Sequence, residues 1–471
     1  MPDERFEEHL RHPRGRGHEP AGARHGAAGG AACGDLVRLS VAVEADRVAG
    51  AGFEASGCGA ALAAASAAVD LVEGAPLVEA ARVGTTEIAA ELGGLSPGKL
   101  HAADLAADAL ARALGEAARF DAAAAQRPGR VLVAMSGGVD SAVAALRVAE
   151  TAGAGAIAVT LELWRDPEND GERSCCSASA VRTARALAHR MGLPHLTLDL
   201  RDEFRAGVVE PWVADHAAGL TPNPCVRCNG HVRLDAMLDV AGRLGAEALA
   251  TGHYARVDAE SGLLRLAADP AKDQAYMLAA LRPETIARLR FPLGDLTKPQ
   301  VRAIAAEHDL PVARTPDSQD LCFLAGTGRA AFLARHGGPR ERPGDIVDRG
   351  GRRLGRHRGH HLFTVGQRRG LAVGGTGEPL YVLATDARAN TITVGPRAAL
   401  ATRTVRVRGV RLHAPEAEVD AVKLRYRSAP MPCVLRDAEI TLADAVDGAS
   451  PGQTAVFLSG DRVLGCATIA G

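Results

Sequence analysis

Three cysteines in the middle of the chain have the residue type and spacing needed for sulfur or metal chemistry. Cys225 and Cys228 stand in the segment Thr221-Pro222-Asn223-Pro224-Cys225-Val226-Arg227-Cys228-Asn229, and Cys322 follows much later. Thiolates are strong nucleophiles and good metal ligands near neutral pH, which a serine hydroxyl is not. A Cys-x-x-Cys pair alone is a weak indicator, so its meaning depends on the elements that surround it.

A second stretch, Ser136-Gly137-Gly138-Val139-Asp140-Ser141, has the composition of an anion cradle. The apolar run 131–135 precedes it and predicts a buried strand, and a helical pattern over 139–149 begins inside it. At such a junction the glycines let the backbone approach a ligand, N–H groups point at it, and the helix dipole favours negative charge. The stretch lacks the Gly-Lys-Ser/Thr ending of a Walker loop, so it supplies no lysine for phosphates.

Strand and helix patterns alternate through the region that holds both motifs. The pattern predicts further strands over residues 156–161, 195–200 and 248–251. Such alternation is typical of an α/β domain with a doubly wound parallel sheet. Ligands of these sheets bind beyond the carboxyl ends of the strands, where the sequence places residues 136–141, 161–164 and 252–254.

Both ends of the chain indicate further domains. The first part shows two alternating strand patterns and Ala-rich helical patterns, which predicts a small α+β unit. Beyond about residue 335, short alternating runs separated by Gly, Pro and Asp predict a small central β module and then a Greek-key-like β-barrel. The chain is therefore multidomain, and the predicted domains are residues 1–126, 127–335, 336–395 and 396–471.

Composition excludes several classes of protein. The chain has 471 residues and a net charge of −1, it contains no apolar run long enough to cross a membrane, and its charged start lacks a signal-peptide core. Nine cysteines, several of them clustered, argue against a secreted disulfide framework, and Cys433 and Cys466 are predicted core thiols. We expect a cytoplasmic protein with no membrane partner. Residues 349–369 carry seven arginines and no acidic residue, which suits binding to a phosphate backbone.

Two N-terminal cysteines also occupy positions suited to metal chemistry. Cys33 precedes the first predicted strand, and Cys58 lies where a helix begins, a position that reactive cysteines often occupy. With Asp35, this placement resembles the iron–sulfur scaffold family of IscU and the N-terminal part of NifU, and it implies Cys33, Asp35 and Cys58 as ligands. Ala102 stands where the third cysteine should follow His101, a further potential ligand. The resemblance therefore implies a degenerate scaffold used for docking or sulfur relay.

The loop and the central cysteines together resemble one family of enzymes. The loop resembles the PP-loop of ATP pyrophosphatases, and Asn-Pro-Cys-x-x-Cys-Asn with a later Ser-x-x-x-Cys-Phe is similar to the tRNA 2-thiouridylase (MnmA/TrmU) family. Matching motifs continue over about residues 130–471, with Ala250-Thr251-Gly252-His253-Tyr254, Lys272-Asp273-Gln274, Phe363-Thr364-Val365-Gly366-Gln367-Arg368-Arg369-Gly370 and Arg425-Tyr426-Arg427. The resemblance implies an ATP-dependent sulfurtransferase that adenylates the C2 oxygen of the wobble uridine (U34) in Lys-, Glu- and Gln-type tRNAs. Sulfur then replaces this oxygen, which gives 2-thiouridine, AMP and pyrophosphate.

The same resemblance implies roles for individual residues. Cys228 would be the nucleophile and Cys322 the persulfide carrier, and the two would close to a disulfide when sulfur leaves. ATP with Mg²⁺ would lie against Ala134, Met135, Ser136, Gly137, Gly138, Val139, Asp140, Ser141, Leu161 and Gly252. The target base and the tRNA would contact Asn223, Pro224, Cys225, Lys272, Asp273, Gln274, Arg425 and Tyr426. A cysteine desulfurase or another sulfur-relay donor would be the protein partner.

Several alternatives stay open from the sequence. Cys225, Cys228 and Cys322 are the three thiols that a 4Fe–4S cluster with one open iron requires, and we favour this cluster over a persulfide relay in which Cys225 is a bystander. Zinc is disfavoured because the sequence offers no evident fourth ligand. Two other functional classes are a PP-loop ligase acting on a small metabolite and an iron–sulfur carrier with a regulatory nucleotide site. No role is assigned to Cys175 and Cys176.

Overall fold

The protein is described here by a computed structural model that places residues 4–29, 34–166, 177–317, 321–324, 327–371, 373 and 378–470. Cys33, Cys175 and Cys176 lie outside the described residues. Within these ranges the chain forms an α+β domain, an α/β domain with a parallel sheet, a small β module and a closed β-barrel, in that order, so the predicted fold class is confirmed. No helix in the described part of the chain is both long enough and apolar enough to span a membrane.

The N-terminal domain is a three-stranded antiparallel sheet covered by helices. Its elements are α1 (Glu4–Arg11), β1 (Arg24–Gly29), β2 (Leu36–Glu44), β3 (Arg47–Ser56), α2 (Gly59–Val72), α3 (Leu77–Ala80), α4 (Thr85–Glu91) and α5 (Leu100–Phe120). The sequence does not predict β1, because Arg-His-Gly-Ala-Ala-Gly has no alternation of apolar and polar residues. Gly26 of β1 pairs with Leu39, and a Cβ at this position would clash with the backbone of Ala109 in α5. Close packing by α5 therefore requires a strand of small residues here.

The second domain is built around a five-stranded parallel sheet. Its elements are β4 (Val131–Met135), α6 (Val139–Ala152), β5 (Ala156–Glu162), α7 (Ala178–Arg190), β6 (His195–Asp199), α8 (Arg201–Phe204), α9 (Glu210–Ala217), α10 (Pro224–Cys228), α11 (Leu234–Arg243), β7 (Ala248–Ala250), β8 (Arg256–Val257), β9 (Leu264–Arg265), α12 (Ala275–Leu278), α13 (Pro283–Ala287), β10 (Leu289–Arg290), α14 (Lys298–Glu307) and α15 (Arg329–Arg335). The strand order is β10-β7-β4-β5-β6, so the winding direction reverses between β4 and β7. This switch point is where ligands of open α/β sheets bind.

Two β units complete the chain. Their strands are β11 (Gly344–Val347), β12 (Arg353–His357), β13 (Tyr381–Asp386), β14 (Thr391–Gly395), β15 (Ala401–Leu412), β16 (Ala421–Lys423), β17 (Met431–Arg436), β18 (Glu439–Asp447), β19 (Thr454–Ser459) and β20 (Arg462–Ile469). The first four form a sheet in the order β12-β11-β14-β13, and the last six close into a barrel because β15 also pairs with β20. The hairpin β8–β9 of the second domain extends the barrel sheet beside β20.

The N-terminal domain is fixed against β6, the edge strand of the parallel sheet. Helix α5 lies so close to β6 that a Cβ on Gly115 would clash with the carbonyl group of Thr197. Arg185 of α7, a buried residue, reaches across the boundary and binds Asp104 and Asp108 of α5, each at 2.6 Å. Buried apolar side chains of both domains belong to one continuous cluster. The two domains therefore pack as a single unit.

Candidate nucleotide and sulfur site

The glycine- and serine-rich loop turns between β4 and α6, as the sequence predicts. Gly137 has a φ of +74°, a conformation that residues with a Cβ rarely adopt, and Gly138 is the N-cap of α6. The hydroxyl of Ser141 donates to the Gly138 carbonyl oxygen at 3.0 Å and accepts from the Ser136 N–H at 3.0 Å. The loop is thus held open by its own serine, with the N-terminus of a 14-residue helix behind it.

The loop after β7 lies directly against this cradle. A Cβ on Gly252 would stand 2.9 Å from the Ser141 nitrogen, so only glycine lets the two loops meet here. Val139 packs in the core beneath the loop together with Met135 of β4. Ala134 and Leu161 lie in β4 and β5, the strands that lead to the same edge of the sheet. The predicted nucleotide residues therefore converge on the switch point between β4 and β7.

An ionic network that the sequence did not predict adjoins the loop. Asp140 accepts hydrogen bonds from Lys298 Nζ at 2.6 and 2.8 Å and from the Tyr254 hydroxyl at 2.8 Å. Lys298 also lies 2.9 Å from Asp317 Oδ1. The sequence marks the start of α14 through the capping box of Thr297 with Gln300, but it carries no signal that Lys298 reaches a loop some 158 positions earlier. A lysine is therefore present at the loop, although the loop itself has none.

Asp317 forms ion pairs with three basic side chains. It binds Lys272 Nζ at 2.6 Å and Arg302 Nη2 at 2.9 Å in addition to Lys298. Desolvation opposes ionisation of Asp317, but the hydrogen bonds from Lys272 and Lys298 outweigh it and lower its pKa to about 2. Asp317 is therefore ionised at neutral pH, and it joins the nucleotide loop to the segment Lys272-Asp273-Gln274.

The cysteine pair lies on the short helix α10. The Asn223 side chain caps this helix, because its Oδ1 accepts from the N–H groups of Cys225 at 3.1 Å and Val226 at 3.4 Å, and Pro224 occupies the first turn. Cys225 is half-buried, whereas Cys228 is buried and ends the helix. A π-helical turn, Asn229–Arg233, follows at once. Such turns are frequent at functional sites because they change the direction of the side chains.

The third cysteine and two tyrosines of the predicted site region come from later segments of the chain. Cys322 is half-buried and packs against the same core cluster as Cys228. The ring centroids of Tyr426 and Tyr276 are 6.1 Å apart. Burial raises the pKa of Tyr426, and the neighbouring negative groups of Asp273 and Cys225 act in the same direction. Tyr426 therefore lies within electrostatic range of Cys225 and of the segment that holds Lys272 and Asp273.

Besides Asn223 and Lys272, three more of the residues predicted to contact the base or the tRNA have partners inside the protein. The buried Asp273 carboxylate binds Lys423 of the barrel at 3.0 Å. Gln274 Oε1 accepts from the Tyr254 N–H at 3.0 Å. Arg425 donates to the carbonyl oxygens of residues 447 and 448, each at 3.1 Å. These contacts hold the surface on which the nucleic acid is expected.

The N-terminal domain carries a second cluster of potential ligands. Asp35, Cys58 and His101 each offer one atom, and these atoms lie within 4.8 Å of one another. Asp35 accepts from the Cys58 N–H at 2.8 Å and the Cys58 thiol at 3.2 Å, and it lies 3.2 Å from His101 Nε2. The backbone hydrogen bond from Cys58 is the main cause that lowers the pKa of Asp35. Ala102 is fully buried beside this group, where the resemblance calls for a cysteine.

Acidic residues neutralise more of the positive charge of the arginine-rich segment, residues 349–369, than its own sequence indicates. Arg352 binds Asp348 at 3.1 Å, and Arg358 binds Glu341 through Nε at 2.9 Å. Both acidic residues precede the window of residues 349–369, so counting charges inside this window misses them. The segment still presents exposed arginine side chains on the β module, among them Arg358. Two other predictions hold, because Cys433 and Cys466 are buried in the barrel and burial raises the pKa of each thiol to about 11.

This fold and site define a class of protein: a PP-loop protein with a Cys-x-x-Cys helix in its α/β domain, preceded by a domain of the iron–sulfur scaffold type. Comparison with protein families agrees over nearly the whole chain. The matching family models are the NifU-like N terminal domain over residues 3–122, the tRNA methyl transferase HUP domain over 129–326, the tRNA methyl transferase PRC-barrel domain over 330–396 and the Aminomethyltransferase beta-barrel domain over 402–469.

Individual relatives make the assignment specific. A bifunctional protein NifU/MnmA from Rubrobacter xylanophilus is 44% identical over 98% of this chain and 97% of its own length. A tRNA-specific 2-thiouridylase MnmA from Frankia casuarinae is 48% identical over 71% of this chain and 97% of its own. The chain belongs to the MnmA family of tRNA-specific 2-thiouridylases, in the form fused to a NifU-like domain. A solved U34-tRNA thiolase, NcsA from Methanococcus maripaludis with its [4Fe-4S] cluster, is 17% identical, with a TM-score of 0.28. The match covers 42% of this chain and 61% of that one.

Proposed function

We propose that this protein is an ATP-dependent sulfurtransferase that converts the wobble uridine U34 of Lys-, Glu- and Gln-type tRNAs to 2-thiouridine in the cytoplasm. The observation that carries the proposal is an ionic network that joins the nucleotide loop to the segment before α12, the helix whose Met277 contacts Asn223 and Asn229 at the two ends of the cysteine helix. The members of this network, in order, are Asp140, Lys298, Asp317 and Lys272. Tyr426 lies within electrostatic range of both Lys272 and Cys225. Relatives named as tRNA-specific 2-thiouridylases, 43% to 48% identical to this chain, support the substrate.

The proposed reaction has two steps. The C2 carbonyl of uracil is a poor electrophile, and its oxygen is a poor leaving group. In the first step the C2 oxygen attacks the α-phosphorus of ATP, pyrophosphate leaves, and an AMP ester forms at C2. In the second step a sulfur nucleophile attacks C2, the C–S bond forms, and AMP departs with the electrons of the C–O bond. The nucleotide therefore converts a poor leaving group into a good one.

The first step is assigned to the loop. The N–H groups of residues 136–141 and the N-terminus of α6 would hold the phosphates of ATP. Mg²⁺ prefers carboxylate oxygens together with phosphate, and the partly exposed Asp140 carboxylate fits this requirement. When bound, the metal would neutralise phosphate charge. Asp140 would hold it while the Tyr254 hydroxyl keeps the carboxylate in place.

The second step is assigned to the cysteines, and two routes fit the same residues. In the route we favour, Cys225, Cys228 and Cys322 would hold a 4Fe–4S cluster, which would supply a Lewis-acid site for the sulfide to be transferred. Three thiol donors suit this group, and Cys225 and Cys228 are one helical turn apart on α10, so they share a face. Asn223 fixes this face by capping the helix.

The alternative route is a persulfide relay in which Cys225 takes no part. The outer sulfur of a Cys322 persulfide would attack C2 as AMP leaves. The Cys228 thiolate would then attack the inner sulfur, the persulfide S–S bond would break toward the product sulfur, and a Cys228–Cys322 disulfide would form. A dithiol reductant would reopen that disulfide.

We assign sulfur delivery to the N-terminal domain. The Asp35, Cys58 and His101 atoms fit a small metal site, and the domain is fixed against β6 rather than held by a free linker. With Ala102 in place of a third cysteine, the domain serves for docking or sulfur relay. A cysteine desulfurase or another sulfur donor is the expected partner. This donor would supply sulfur to either the cluster route or the persulfide route.

The test is 2-thiouridine formation by the full chain with ATP, Mg²⁺, a sulfur donor and unmodified tRNA. We expect AMP release only when tRNA is present, and equal release without tRNA would contradict the proposal. Cys322→Ser should abolish thiolation while tRNA affinity stays nearly unchanged. Cys433→Ser is the matched control, because this thiol is buried in the barrel and should leave thiolation unaltered.

A further inference from the structure

Lys298 occupies a position that no sequence motif indicates. It is the first residue of α14, and its side chain is only 10% exposed. Its backbone N–H donates to Asp269 Oδ2 at 3.0 Å, which fixes the start of the helix. Val301 and Ala305 of the same helix pack in one core cluster with Val139 of α6. The N-termini of α6 and α14 are therefore held side by side at the nucleotide loop.

Asp140 and Asp317, the two partners of Lys298, each have another partner that remains when Lys298 moves away. Asp140 also accepts from the Tyr254 hydroxyl, and Asp317 also binds Lys272 and Arg302. Removing one member of a buried ion pair is costly when the other charge is left unpaired. Here Asp317 keeps two cations, and Asp140 keeps the Tyr254 hydroxyl and is partly exposed to water, so Lys298 can exchange an aspartate for another anion at low cost.

A triphosphate in this cradle needs such a cation. Residues 136–141 contain no Lys or Arg, and their one charged side chain, Asp140, has the same sign as phosphate. Loops of the Walker type meet this need with a lysine of their own, which binds the β- and γ-phosphates. We propose that Lys298 is the phosphate-binding lysine of this site, that it contacts the β- and γ-phosphates of ATP, and that it stabilises the departing pyrophosphate. The inference rests on the proposed use of ATP.

Arg302 offers a matched control for Lys298. It lies one turn further along α14, and it binds the same oxygen of Asp317 at the same distance of 2.9 Å. Its recorded partners are Asp317 and the carbonyl oxygens of residues 313 and 315, and Asp140 is not among them. If pyrophosphate affinity depends only on the ion pairs of Asp317, substituting either Lys298 or Arg302 should lower it. If it depends on a direct contact with phosphate, only the substitution of Lys298 should lower it.

The experiment is calorimetric titration of the full chain with inorganic pyrophosphate, and separately with AMP, in Mg²⁺ buffer without tRNA. We expect Lys298→Met to weaken pyrophosphate binding about 10- to 100-fold, the usual effect of removing a charged hydrogen bond, and to leave AMP binding within about threefold. Lys298→Arg should recover part of the affinity. Arg302→Met should change pyrophosphate affinity by less than about threefold, and thermal unfolding checks that each variant is folded.

Two outcomes would overturn the inference. One is a folded Lys298→Met variant that binds pyrophosphate as the wild type does, and the other is an equal loss in Arg302→Met. The proposed function fails separately: a wild-type chain that binds ATP and pyrophosphate but forms no 2-thiouridine contradicts the function and leaves the role of Lys298 intact.

Discussion

Lys423 Nζ lies 3.0 Å from Asp273 Oδ2, and both side chains are buried. Lys423 ends β16 of the barrel, whereas Asp273 belongs to the second domain and also accepts from the Ala267 N–H. The pair thus joins two domains at the segment that carries Lys272 and Gln274. Asp273 would act on tRNA binding by anchoring its neighbours, while Lys272 and Gln274 lie nearer the surface.

Removing only one member of the Lys423–Asp273 ion pair should destabilise the folded protein. Lys423→Met leaves the Asp273 carboxylate buried without its charged partner, so we expect a loss of about 3 to 5 kcal/mol in the free energy of unfolding. Urea denaturation followed by fluorescence and by circular dichroism measures this loss. The double variant Lys423→Met/Asp273→Leu should recover much of it, and additive losses in the two single variants would contradict the coupling.

Gly252→Ala should damage ATP binding without unfolding the protein. The new Cβ would lie 2.9 Å from the Ser141 nitrogen, so the loop backbone must shift and its N–H groups lose their alignment. We expect at least a tenfold rise in the dissociation constant for ATP, which corresponds to about 1.4 kcal/mol. Gly98→Ala is the control, because nothing lies within 4 Å of a Cβ at that position. Equal ATP affinity in both variants would refute the close contact of the two loops.

Cys225→Ala should separate the two sulfur routes. Iron and acid-labile sulfide are measured in the full chain purified without oxygen, in a Cys58→Ser background that removes the thiol of the N-terminal cluster. If Cys225 is a ligand, the added substitution should abolish both the bound iron and thiolation. A chain that is free of iron and still thiolates tRNA from a persulfide donor would establish the relay and leave Cys225 dispensable.

Acid should destabilise the protein through buried histidines. Desolvation lowers the pKa of His216 to about 4 and that of His195 well below its usual 6.5. The folded state therefore keeps both rings neutral while the unfolded state takes up protons. The contribution of these two histidines to the free energy of unfolding is fully present above pH 6.5. As the pH drops from 6.5 toward 4, the free energy of unfolding falls by about 1.4 kcal/mol per pH unit for each histidine. Urea titrations at pH 7, 6 and 5 measure the slope, and it should be smaller in His216→Gln.

The sequence by itself determined the order of the domains and most of the nucleotide site. Strand–helix alternation around residues 131–251 specifies a parallel sheet, since each buried strand must be covered by the helix that follows. The glycines and serines of residues 136–141 specify a cradle through local geometry alone. The cysteine helix is equally local, because Asn223 and Pro224 form its cap and first turn. Patterns of this kind are visible without knowledge of distant contacts.

Only the tertiary structure decided which charges meet. Lys298 and Asp140, or Lys423 and Asp273, are more than a hundred positions apart, and their pairing depends on how helices and domains pack. Tertiary packing also made β1 a strand despite its irregular pattern, because α5 lies against its Gly26. Two arginines of residues 349–369, Arg352 and Arg358, pair with acidic residues that lie outside this segment, and the fold alone shows these pairs. Long-range electrostatics and close helix packing leave no periodic signature in the sequence, so the lysine at the nucleotide loop appears only in the fold.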